Sequence, residues 1–224
     1  MGSPADEAGR GADERAHPVT LTRRVGVGAR EVDQALWAEV TGANPSSFDD
    51  PEHPVEGVSW LDAVAFCNAL SAREGLDPAY VIAGATVTWS PAARGFRLPT
   101  EAEWEAAARA GSPARFAGAN QAEPVAWFGP RAGGSPHPVG TRAPNALGLS
   151  DMSGNVSEWV WDRYAAYPSS DAEDPAGPDA GAARVHRGGS WDTPERTLRV
   201  AARQAAPPDT RNASVGLRLA RTLE

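Results

Sequence analysis

The spacing of apolar residues changes along this chain. In "HPVTLTRRVGVGAREV", residues 17–32, apolar and polar positions alternate, which predicts strand. From residue 31 the period lengthens: Val32, Leu36 and Val40 in "EVDQALWAEVTG" predict a first helix that stops at Gly42. A polar loop, "NPSSFDDPEHP", leads to Ser59, which can cap a second helix over "WLDAVAFCNALSAREG", with Asp62 as its reciprocal partner and Gly75 at its end. "ATVTW", residues 85–89, reads as a short strand. Thr100 and Glu103 form a capping box at the start of a third helix in "PTEAEWEAAARAG", because each side chain can take an amide the helix leaves free. From residue 112 onward helical spacing is lost. Short apolar pieces separated by turns remain: "PVAWFG", "VSEWVWD", "RVHRGGSW", "LRVAAR" and "SVGLRLA". They predict twisted strands and long loops packed on the helices.

This pattern suits one domain. A chain of 224 residues that is 41% apolar can bury one sizeable core, and no composition shift marks a second. Residues 1–17 are polar and glycine-rich and read as an irregular lead-in, leaving 18–224 as the domain. With 23 glycines, 20 prolines and few helices, irregular segments must be fixed by side chains, and the eight tryptophans are candidates for that task.

Charge and chemistry narrow the functions. All 21 basic residues are arginines, so Schiff-base and phosphate-loop lysine chemistry are excluded. A net charge of −8 disfavours a nucleic-acid partner. Residues 184–221 are the exception, with eight arginines against Asp192, Glu195 and Asp209. They read as a solvated or internally paired face, or else as an anion-binding surface. Cys67, the sole cysteine, lies beside Phe66 and near Leu70 and reads as buried packing, so no thiolate cluster can form. The four histidines, His17, His53, His137 and His186, show no metal-ligand spacing. The N-terminal stretch lacks the apolar core of a signal peptide, and no run reaches membrane-spanning length. A cytoplasmic protein without a membrane or nucleic-acid partner is the expectation.

Several blocks, in order, carry a resemblance: "EVDQALW", "PVEGVSWLDAVAFCNALSAREGL", "FRLPTEAEWEAAARAG", "LGLSDMSGNVSEWVWDRY", "RVHRGGSW" and "VGLRLAR". Together they resemble the sulfatase-modifying-factor family, the formylglycine-generating enzyme domain, over nearly the whole chain. The resemblance implies an α+β, C-type-lectin-like fold, loop-rich, with short twisted strands and two or three short helices. It leaves function open, because the family spans copper oxidases that make formylglycine, iron enzymes of thiohistidine synthesis, non-catalytic paralogues and variable binding proteins diversified by retroelements.

The site the resemblance implies is incomplete. Copper(I) needs soft thiolates, and, aligned on the strand read as "RVAAR", the resemblance sets the oxidases' two cysteines at Val200 and near Glu195. No copper site is therefore expected. In "DMSGNVSEW" the resemblance carries over a structural calcium site: the side chains of Asp151 and Glu158 with the carbonyls of Gly154 and Val156. The alternative is that the two acids cap turns or pair with arginines such as Arg163. Family members also place an apolar strand before "MGSP", which here begins the sequence.

These readings point to a non-catalytic module that binds a protein or small-molecule ligand. Its expected face is residues 192–197 and 204–209, including Asp192, Thr193, Glu195, Thr197, Gln204 and Asp209, with Arg187 and a buried Trp191 behind it as framework. Asp192, Thr193, Pro194, Thr197 and Ala202 are each reachable from an asparagine codon by changing its adenines; Gln204 is not. The alternative is an oxidoreductase of the formylglycine-generating type with a divergent centre.

Overall fold

Each helix begins where a side chain can satisfy its first free amides. In the computed structural model, which describes residues 1–223, α1 (Gln34–Thr41) starts at Asp33, whose carboxylate accepts from Leu36 N–H at 2.8 Å, and stops at Gly42 in the left-handed region, φ 79°. Both predicted capping boxes form: Ser59 with Asp62 opens α2 (Trp60–Arg73), and Thr100 with Glu103 opens α3 (Glu101–Arg109).

The strands are short. In chain order they are β1 (Val19–Thr20), β2 (Val25–Val27), β3 (Tyr80–Ala83), β4 (Thr86–Trp89), β5 (Phe96–Arg97), β6 (Ser157–Arg163), β7 (Ala172–Glu173), β8 (Arg184–Arg187), β9 (Arg203–Ala206), β10 (Val215–Leu217) and β11 (Ala220–Thr222). The main sheet has the order β10-β6-β8-β9, with β10 parallel to β6 and the other pairs antiparallel. A second sheet, β2-β11-β5, is antiparallel, β3 and β4 form a hairpin, and β1 pairs with β7. This mixture of three helices and small sheets is the expected α+β class. The hairpin strand β3, carried by "YVIA", was not foreseen.

Strand β6 organises the interior. Its successive side chains point to opposite faces, so Trp159 enters one apolar cluster with Trp37, Trp60, Phe66 and Leu217, and Val160 enters another with Trp104, Val185 and Val200. The indoles also bond to backbone: Trp60 Nε1 donates to Val160 O and Trp159 Nε1 to Val58 O, each at 2.9 Å. Two chain segments about a hundred residues apart are thereby stitched together. No described helix is long and apolar enough to cross a membrane.

One expectation changes. "RVAAR" is not a strand: residues 199–202 form a turn, and β9 begins only at Arg203. The cause is Arg187, whose guanidinium takes the Val200 and Ala201 carbonyls at 2.7 and 3.2 Å, removing them from any ladder. The lead-in is irregular, yet Ser3 and Glu14 are buried within it and Arg199 grips Glu14 through two bonds of 2.7 and 2.8 Å.

Candidate functional site

The arginine-rich segment is an internal fastening. Arg187, Arg199 and Arg218 are each 1% exposed or less. Arg187 reaches Glu101 and Glu105 on α3 at 3.1 and 2.6 Å, and Arg203 joins Glu101 at 2.7 and 2.8 Å. Arg218 donates to both oxygens of Glu158 at 2.7–3.0 Å. Of the two readings of this stretch, internal pairing is the one these residues adopt; Arg196 and Arg211 alone among the eight are exposed. Planar guanidinium forks suit this task, since one side chain can hold a carboxylate and a carbonyl together.

The turn "DMSGNVSEW" lies against Arg218. Gly154, at φ 84°, packs so closely on the Trp127 carbonyl that a Cβ would collide with it. Asp151 accepts from Gly140 N–H through Oδ2 at 2.6 Å, while its buried Oδ1 has no partner. Burial pushes the Asp151 carboxyl above its usual range. Glu158 accepts from Trp104 Nε1 at 2.6 Å and from Arg218 rather than Arg163. As a calcium cradle the set fits at Asp151, which has an orphaned oxygen, and fails at Glu158, whose oxygens already face a guanidinium. Among the described residues no three His, Cys, Asp or Glu side chains converge as metal ligands.

One residue of this turn and its distant partner escaped the sequence reading. Asn155, at φ 60°, is a hub: its N–H donates to Trp127 O, its carbonyl accepts from Trp191 N–H, its Oδ1 accepts from His137 N–H, and its Nδ2 donates to Glu31 at 2.6 Å. Glu31 also takes Val156 N–H at 3.0 Å. Burial first, then the negative charges of Asp151 and Glu158, hold the Glu31 carboxyl well above the usual range, against the pull of Arg218. "GNVSEW" displayed Asn155, but nothing local could show that Glu31, over 120 positions away, would meet it.

The expected binding residues divide into two groups. Asp192, Pro194, Glu195 and Asp209 are exposed, and Thr193, Thr197 and Gln204 are half-buried. Thr193 is closed into its own turn, bonding Ser190 N–H and carbonyl at 2.8 and 3.0 Å; Thr197 donates to Pro194 O at 2.7 Å. Asp192 accepts from Ser190 Oγ at 2.7 Å, and Glu195 lies 3.6 Å from Arg115. Gln204 sits on β9 and accepts from Ser157 Oγ at 3.2 Å. No hydrogen bond or ion pair joins residues 192–197 to 204–209 among the described residues. Gly189, at φ 67°, allows the loop to close, since a Cβ would meet Leu198 at 2.8 Å and Thr197 O at 2.9 Å. Arg187 lies fully buried behind the loop. Trp191, expected to be buried, is half-buried; its indole packs edge-on to Phe48 and donates to Ala213 O at 3.1 Å.

Of the two positions that the resemblance set against the oxidase cysteines, Val200 is 1% exposed in the core and Glu195 is exposed. Cys67 is fully buried on α2, and burial pushes its thiol up.

The fold and the ordered blocks define a class: the chain belongs to the sulfatase-modifying factor enzyme 1-like domain family, which matches residues 13–223. Within it the chain is 36% identical to a formylglycine-generating enzyme of Thermomonospora curvata over 212 residues, 84% of this chain and 62% of that enzyme. It is 35% identical to the chaperone protein LppX of Paenibacillus barcinonensis over 209 residues, 78% of this chain and 71% of LppX. Among solved structures, variable protein 1 of Treponema denticola superposes with a TM-score of 0.91 at 34% identity, covering 100% of this chain and 92% of that one. The chain thus spans less than two thirds of the matched formylglycine-generating enzyme.

Proposed function

We propose that this protein is a non-catalytic binding module for a protein or small-molecule ligand. The observation that carries the reading is the chain's one cysteine, Cys67, buried on α2, which leaves no second thiol to pair with it. A copper(I) centre built on two thiolates therefore has no ligands here. The chain is similar over its whole length to a variable protein, and the family it resembles includes variable binding proteins, which favours the same role on this scaffold.

The binding face comprises Asp192, Thr193, Glu195, Thr197, Gln204 and Asp209. Exposed loop side chains on a rigid frame can change without loss of the core, and Arg187 and Gly189 supply that frame. A calcium ion at Asp151, with the Gly154 and Val156 carbonyls, would brace the adjacent turn; Glu158 is not one of its ligands in this reading.

The test is a surface-display library randomised at Asp192, Glu195, Gln204 and Asp209. Most members should display at the parental level, and selection against lysozyme as an arbitrary target should yield binders. Collapse of display across the library would make these residues scaffold and overturn the assignment of the face.

A further inference from the structure

A concavity lies away from the 192–197 loop. It has a volume of about 370 Å³, within the range of small-molecule sites, and its walls are largely alanine and proline from residues 165–178. Two acids from different elements stand at its base, Glu101 of α3 and Asp162 of β6.

The two acids are not equivalent. Glu101 is saturated: it accepts from Arg187, from Arg203 through both oxygens and from the Tyr167 hydroxyl at 2.9 Å. Asp162 is 4% exposed and accepts only the Glu101 N–H, through Oδ2 at 2.7 Å. Its Oδ1 has no partner, and no arginine forms an ion pair with it among the described residues. The neighbouring cations are engaged elsewhere: Arg203 by Glu101, Arg184 by the Trp161 carbonyl, and Arg163 by the Gly181 carbonyl. Arg203 and Arg184 act on Asp162 by charge but neither bonds it, and a charged donor delivered from the cavity would add the hydrogen-bonded partner that the buried carboxyl lacks. The Tyr167 ring cannot receive that cation, because Arg203 lies 3.8 Å over it and His17 packs at 4.8 Å.

We infer that this cavity is a binding site for a small primary amine with a compact apolar body, the ammonium donating to Asp162 Oδ1 and the apolar part lying on the alanine and proline walls. The site is separate from the proposed binding face, so either can fail without the other.

The experiment is an NMR titration of the full chain with cyclohexylamine hydrochloride, with cyclohexanol as the uncharged comparison. Two variants are used: Asp162→Asn, which keeps an acceptor for the Glu101 N–H, and Ala166→Trp, which fills the cavity from an exposed position. The amine should bind saturably and at least tenfold more tightly than cyclohexanol. Asp162→Asn should remove that tenfold preference, and Ala166→Trp should abolish binding of both. Equal affinity for the two probes, or an undiminished preference in Asp162→Asn, would overturn the inference. So would undiminished amine binding in Ala166→Trp, which covers the case in which the Asp162 variant fails to fold.

Discussion

Arg218 holds Glu158 through both carboxylate oxygens, at 2.7–3.0 Å, although sixty positions separate them and both side chains are fully buried. The same guanidinium also takes the Gly28 and Ser150 carbonyls at 2.8 and 2.7 Å. One side chain therefore fastens β6, the loop after β2 and the "DMSGNVSEW" turn together. Arg187 and Arg199 do likewise for α3 and the N-terminal segment.

Removing one member of this pair leaves the other charged and buried. Arg218→Met should destabilise the protein by about 3–5 kcal/mol, as for other broken buried pairs. Adding Glu158→Gln should recover part of that loss, because the stranded charge is gone. Urea denaturation of the two single variants and the double variant measures the coupling; strict additivity would mean that the two side chains do not interact.

His186 on β8 makes stability depend on pH. It packs edge-on to Trp159, and burial lowers its pKa to about 4 from the usual 6.5. The unfolded chain takes up a proton near pH 6.5 that the folded protein refuses until about pH 4. Stability from this residue is thus present above pH 6.5 and lost as pH falls through that window, by roughly 3 kcal/mol at most. Glu31 and Asp151, whose carboxyls are raised, act with the opposite sign, so the His186 effect is read by difference: between pH 7.5, 5.5 and 4.5 the wild type should lose stability relative to His186→Phe, and a constant difference would contradict the assignment.

The sequence showed the helices, because caps and apolar period are local: Asp62 is three residues from Ser59, and Glu103 three from Thr100. It showed the family blocks and the missing thiolates for the same reason. The pairings Arg218–Glu158, Arg199–Glu14 and Asn155–Glu31 were not legible, since nothing local selects which distant carboxylate meets which guanidinium or amide. The "RVAAR" strand was misread for the same cause: its carbonyls bond a side chain, and apolar spacing carries no trace of that.

Calcium should act through Asp151. An ion that binds only the native state raises stability with its concentration, so a chelator should lower the melting temperature of the wild type and leave Asp151→Ala unchanged. A melting curve indifferent to calcium would mean that the orphaned Asp151 oxygen serves no cation.

Cys67 should be inert in the folded protein. Its thiol is fully buried and pushed up by desolvation, so iodoacetamide should label it only after denaturation. Rapid labelling of native protein would contradict its place in the core.

The most direct measurement is of formylglycine itself. The protein is incubated with copper, a reductant and a peptide carrying the sulfatase cysteine motif, and the peptide is examined by mass spectrometry. The account predicts no copper-dependent aldehyde, because one buried cysteine cannot supply a thiolate pair. Turnover that requires copper and exceeds the protein-free control would contradict it, and would place this chain among the oxidases.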